Sequence, residues 1–170
     1  MAVFERLDWQ RFDVWALAQT RGLATIEQVS AARCEDWLAQ NGYRVEALDF
    51  SRGIGDALLQ FAELVDWRNQ FGYALSRDSR NLDALRDGFE FDGGGHAGVG
   101  LVLRSFERAW QEDADWSRGL LEIASEYSLW ELAQGRRFFA VIVVTDGASS
   151  LIHQPLGALA VPGVFTGAFR

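Results

Sequence analysis

From Phe138 to Val144 the chain carries only aliphatic and aromatic side chains, between Arg136-Arg137 and Thr145-Asp146-Gly147. The run is far shorter than the ~20 residues a membrane-spanning helix needs. Its continuous apolar character, starting from Arg137, is that of a strand buried at the centre of a sheet or within a parallel sheet. Such a strand has to be built into a layered fold, so the rest of the sequence is read for its neighbours. Arg44 to Phe50 alternates polar and apolar residues and predicts a second strand. Short apolar runs at Gly22–Ile26 and Val99–Leu103 predict two more.

Helical spacing fills the intervals. Glu27 to Asn41 places Cys34, Trp37, Leu38 and Asn41 along one side, and Gly42 suits the left-handed position after a helix. Ile54 to Arg68 repeats Ile54, Leu58, Phe61 and Val65. Asn81 to Phe89 puts Leu82, Leu85 and Phe89 on one stripe. Phe106 to Gln111 is a short helical piece. Trp116 to Gln134 carries Trp116, Leu120, Ile123, Tyr127 and Trp130, expected to be core, with Gly135 as its cap. Leu7 to Gln19 is rich in large apolar groups, with Trp9, Phe12 and Trp15 only near helical spacing. Asn69 to Ser79 reads as a polar loop holding Phe71 and Tyr73, and the chain from Thr145 onward has no assigned structure.

Strand, helix and strand between Gly22 and Phe50 make a βαβ unit, whose strands are expected to be parallel. The fold class is therefore α/β: a small parallel sheet of three strands, or four with Gly22–Ile26, packed by helices. Residues 1–42 read as an N-terminal extension, 43–146 as the main domain and 147–170 as a loop or tail.

The chain has 170 residues and a net charge of −8. Phosphate binding needs clustered basic residues, so this balance argues against nucleic acid as a direct partner. An acidic protein favours basic partners through steering, although the same charge also serves solubility. Cys34 is the single cysteine, so no intramolecular disulfide can form, and a reducing cytoplasm is the natural setting. The first residues carry acids and no apolar core of a signal peptide. The expected location is cytoplasmic, away from membranes.

Few residues suggest catalysis. Gly93, Gly95 and Gly98 satisfy G-x-G-x-x-G, but a dinucleotide site needs that motif after a strand and opening a helix. Here it follows a helix and opens a strand, as a flexible connection that could also touch a partner. His96 and His153 sit in no zinc-binding pattern, and there is no G-x-S-x-G elbow. No cofactor, metal or enzymatic activity is expected. A small enzyme or ligand-binding domain using the glycine loop is the remote alternative.

The most pointed feature is Arg80-Asn81-Leu82-Asp83-Ala84-Leu85-Arg86-Asp87-Gly88-Phe89. Asn81 can cap a helix whose first turn holds Asp83, where the helix dipole favours a carboxylate. Asp87 stands four residues further along the same face, away from the apolar stripe. Like charges at that spacing disfavour a helix by roughly 0.2–0.5 kcal/mol. The pair is either solvated charge or two carboxylates offered to something basic.

Asn81-Leu82-Asp83-Ala84-Leu85, with Asp87 after one variable residue, resembles the signature helix of the barstar family, intracellular inhibitors of small guanyl-specific ribonucleases. Val99-Gly-Leu-Val-Leu-Arg-Ser-Phe is similar to that family's middle strand entering its third helix, and Phe138–Val144 to its last strand. The stretch from Asp36 to Val45 resembles a longer subgroup with an N-terminal strand–helix extension. The resemblance implies a barstar-like domain over 43–146 and a ribonuclease inhibitor or immunity protein against a basic toxin. Asp87 would be the anchor that fills the ribonuclease's phosphate site, and Asp83 the second contact. Asn81, Arg86 and Tyr73 complete the expected binding face. The family's usual aromatic pair and glycine before the asparagine are replaced by Arg77-Asp78-Ser79-Arg80, which leaves aromatic contact to Phe71 or Tyr73. Arg86 stands where the family often has an aromatic or polar residue. A barstar-fold interaction module whose partner is not a ribonuclease is the alternative, and oligomeric state is open.

Overall fold

The computed structural model describes residues 6–167 and residue 169, so the reading of residues 1–5 lies outside the described residues. Four parallel strands make the central sheet: β1 (Leu23–Glu27), β2 (Tyr43–Asp49), β3 (Gly98–Arg104) and β4 (Arg137–Val144), in the order β1-β4-β3-β2. The class is α/β, as expected, and the sheet has the fourth strand. β1 and β2 are parallel but lie at opposite edges of the sheet. The intervening helix α2 (Ala31–Gln40) therefore crosses a whole face rather than linking neighbours.

β4 is central and alternates its side chains between two apolar clusters. Phe138, Ala140, Ile142 and Val144 enter one, and Phe139, Val141 and Val143 the other. Burial on both faces is why its sequence shows no polar alternation. On one face lie α1 (Phe12–Thr20) and α2, contributing Phe12, Ala16, Cys34, Trp37 and Leu38. Small residues let α2 approach: a Cβ on Gly100 would stand 2.9 Å from the Leu38 side chain. The other face is covered by α3 (Ile54–Leu64), α4 (Trp67–Phe71), α5 (Leu82–Asp87), α6 (Phe106–Glu112) and α7 (Ala114–Ala133).

α1 is clamped to the sheet by charge. The buried Asp13 carboxylate accepts from Tyr43 Oη at 2.6 Å, from Arg11 Nη2 at 2.8 Å and from Arg137 Nη1 at 3.2 Å. Removing any one donor would leave part of a buried charge unpaired, which is strongly destabilising.

Several expectations need correction. The helix expected over Ile54–Arg68 breaks at Asp66, which takes a left-handed φ of 51°. An unbroken helix would turn Trp67 about 200° from Val65, toward solvent. The break re-aims it, and both residues are buried. α4 thus takes the start of what reads as a polar loop. α5 stops at Asp87 instead of Phe89, since Phe89 and Phe91 both enter the core from a segment without regular structure. The Phe91 amide donates to Tyr127 Oη at 3.0 Å.

Trp130 is 61% exposed, not core. Spacing averaging 3.5 residues drifts against the 3.6-residue helical turn. By its last turns the sheet-facing side of α7 carries Ser128 and Glu131 instead. Ser128 Oγ donates to Phe138 O at 2.7 Å, and Glu131 pairs with Arg136. Trp9, preceding α1, is also exposed, and Glu27–Ser30 is not α-helical. Within the tail, unassigned from sequence, β5 (Pro155–Leu156) and β6 (Leu159–Ala160) pair antiparallel, and Leu151, Leu156 and Val161 are buried in the apolar cluster that covers one face of the sheet. No helix among the described residues is long and apolar enough to cross a membrane.

Candidate protein-binding face

α5 begins where the sequence places it. Asn81 Oδ1 accepts from the amides of Asp83 at 3.0 Å and Ala84 at 3.3 Å, satisfying donors that the first turn cannot satisfy itself. Leu85 is buried and fixes the roll of the helix. Asp83 and Asp87 consequently face outward, the Asp83 side chain 92% exposed. Gly119 of α7 gives α5 room, since a Cβ there would meet Leu82 Cδ1 at 2.4 Å.

The arginines that replace the aromatic pair do not lie free beside these acids. Arg77 pairs with Asp56 of α3 at 2.6 Å. Arg80 pairs with Asp113 at 3.0 Å and with Glu112, whose carboxylate also accepts from the Ile54 amide at 3.0 Å. The loop entering α5 is thus pinned to α3 and to the α6–α7 junction. Asp113 in turn caps α7 by accepting from the Trp116 amide at 3.0 Å; that bond, followed by Arg80, holds its pKa below the ordinary aspartate value.

Arg86 is the one cation within α5. It lies between Asp83, at 3.6 Å, and Glu126 of α7, at 3.0 Å. Among the described residues no hydrogen bond or ion pair reaches the Asp87 carboxylate, which is the free charge of the face.

Aromatic rings border Asp87. Gly88, the next residue, lies on the Trp67 ring: a Cβ there would be 2.4 Å from it and 3.0 Å from Phe71. Phe71 packs on Trp67 with centroids 4.4 Å apart, and Tyr73 meets Trp67 edge-on at 6.0 Å. Trp67 is buried, whereas Phe71 is 36% and Tyr73 49% exposed. The exposed Asp87 carboxylate thus stands beside partly exposed aromatic rings that rest on the buried Trp67. Beyond it, a cleft of about 650 Å³ is lined by Asp66, Glu90, Asp92, Tyr127 and Arg136, extending the acidic character.

Of the residues expected on the face, Asp83, Asp87 and Tyr73 are exposed on it, the exposed Asn81 caps the helix that carries the two acids, and Arg86 is held by acids. Sequence reasoning missed Trp67, Glu112, Asp113 and Glu126; Glu112 and Glu126 reach α5 and its loop through contacts between distant segments, whereas Asp113 carries a local signal as the cap three residues before Trp116. The glycine loop forms a turn, with Gly94 N–H donating to Asp92 Oδ1 at 2.9 Å, and then opens β3. Among the described residues no three His, Cys, Asp or Glu side chains converge to hold a metal ion. Comparison of the chain with protein-family models, curated proteins and solved structures finds no match.

Proposed function

We propose that this chain is a barstar-like inhibitor or immunity protein, and not an enzyme, that blocks the active site of a basic ribonuclease toxin with α5. The observation that carries the reading is the exposed Asp83–Asp87 pair on a capped helix, with Arg77 and Arg80 committed to acids elsewhere. A ribonuclease holds phosphate with Arg, Lys and His side chains. A carboxylate held in a fixed position can take the phosphate's place, and charge-assisted bonds from Arg are of the strong kind. Asp87, which has no partner among the described residues, is the anchor, Asp83 the second contact, and Phe71 and Tyr73 the aromatic border.

The test is co-expression with basic ribonuclease toxins, followed by an RNA-cleavage assay with the purified pair. Inhibition by the wild type and its loss by a factor of ten or more in Asp87→Ala is the expected result. Full cleavage in the presence of excess wild-type protein would sink the proposal. Arg86, which sets a positive charge between Asp83 and Glu126 and so reduces the pull of the face on a basic active site, favours a second reading: an interaction module of the same architecture whose partner is not a ribonuclease. A bound partner without nuclease activity, released by both Arg86→Ala and Asp87→Ala, would select it.

A further inference from the structure

The two edges of the sheet are finished differently. Outside β1 the chain covers itself: Val164 bridges Thr25 in parallel, and Phe165 N–H donates to Thr25 O at 2.7 Å. β2 has no such cover. It pairs with β3 on one side, where Phe50 N–H donates to Arg104 O at 2.9 Å. Successive residues of a strand direct their peptide groups alternately to its two sides. Arg44, Glu46 and Leu48 therefore bond to β3, and Tyr43, Val45, Ala47 and Asp49 point outward. The outward groups of Asp49 are occupied by Gln60, whose Oε1 accepts from its N–H at 2.9 Å and whose Nε2 donates to its carbonyl at 3.4 Å. Among the described residues nothing bonds to the outward groups of Val45 and Ala47, and both residues are only half-buried.

We infer that β2 is a homodimerisation edge: a second copy of this chain lays its own β2 antiparallel to it about a two-fold axis at Val45, joining the two sheets. The register follows from which groups are free. With Val45 opposite Val45 of the second copy, Tyr43 lies opposite Ala47, so every hydrogen-bonded pair uses outward groups and none needs Asp49. Arg44 then stands opposite Glu46 of the second copy, in the non-hydrogen-bonded pairs where side chains come closest. Within one chain these two already pair at 2.5 Å, so charges of alternating sign line the axis. A register centred on Ala47 would set Glu46 against Leu48, and require the groups that Gln60 occupies. Charges on an edge strand ordinarily keep it from pairing. Here, opposite signs two residues apart make the edge complementary to itself in this antiparallel register.

Sedimentation equilibrium of the full chain tests this. The wild type is expected to reach twice the chain mass as concentration rises. Arg44→Glu and Glu46→Arg each set like charges opposite one another, and each is expected to weaken the dimer at least about tenfold. An equimolar mixture of the two variants recovers the dimer mass, because the acids of one face the bases of the other. Circular dichroism establishes that each variant is folded. Val45→Pro removes an outward N–H without a change of charge, leaves the ladder to β3 whole, and also yields monomer. A wild type that stays at the monomer mass, single variants as dimeric as the wild type, or a mixture no heavier than its components would each overturn the inference.

Discussion

Gly88 is an absence on which the proposed binding face depends. Its φ of −96° is open to any residue, so what requires glycine is space alone: the Trp67 ring fills the position a side chain would take. Gly88→Ala forces Trp67 and Phe71 apart, or α5 outward. The expected cost is about 1–3 kcal/mol, the ordinary price of overpacking. Urea unfolding monitored by circular dichroism measures it, and an unchanged midpoint would mean that the aromatic base yields freely. Nothing in the neighbouring sequence marks Gly88 as different from the glycines after it. Asp87, by contrast, is legible as an outward-facing acid because Leu85 fixes the roll of the helix, and spacing relates the two.

At the scale of the element, α7 shows what periodicity can and cannot supply. Its existence follows from its apolar spacing, and Trp116, Leu120 and Ile123 are buried as expected. Trp130 is misread because a stripe on paper does not rotate with the helix. The start of α7 rests on Asp113, which both caps it and receives Arg80. Its pKa is depressed, so the stability it contributes is present above the ordinary aspartate value of 3.8 and is lost as pH falls through its lower, folded value. Asp113→Asn keeps a good cap and removes the charge. The variant is expected to melt within a few degrees of the wild type at pH 7 and to lose less stability between pH 5 and pH 2. Asp113→Ala loses the cap as well, at a cost of about 1 kcal/mol. Thermal melts across that pH range separate the two, and identical acid limbs would remove Asp113 from the account.

At the scale of the whole molecule, the sheet is closed by helices on both faces, and Cys34 reports on one of those layers. It lies on α2 against the sheet, fully buried. Burial, with a smaller contribution from Glu35, pushes its pKa up to about 12 from an ordinary 9.0. The neutral thiol is the form the fold accommodates, so Cys34 contributes to stability below the ordinary value and loses that contribution as pH rises toward 12. Native protein at pH 8 is expected to resist iodoacetamide, and labelling is expected to rise with urea along the same transition as the circular dichroism signal. Rapid labelling before that transition would show that the α1–α2 layer opens on its own.

What the sequence determined by itself is what local physics decides. Three strands with a possible fourth, the Asn81 cap and the outward acids of α5 follow from side-chain period, capping chemistry and glycine positions, which act within a few residues, and the parallel sense follows from the order of strand, helix and strand. Which strand lies beside which did not follow: β1 joins β4 and not β2, a choice between edges that no local pattern carries. The turn of Asp66 that brings Trp67 inward, the capture of Arg77 and Arg80 by distant acids and the covering of one sheet edge by the tail were likewise decided only in the tertiary structure. Each depends on a partner far away in the chain, and burial and charge pairing are satisfied between segments that sequence spacing does not connect.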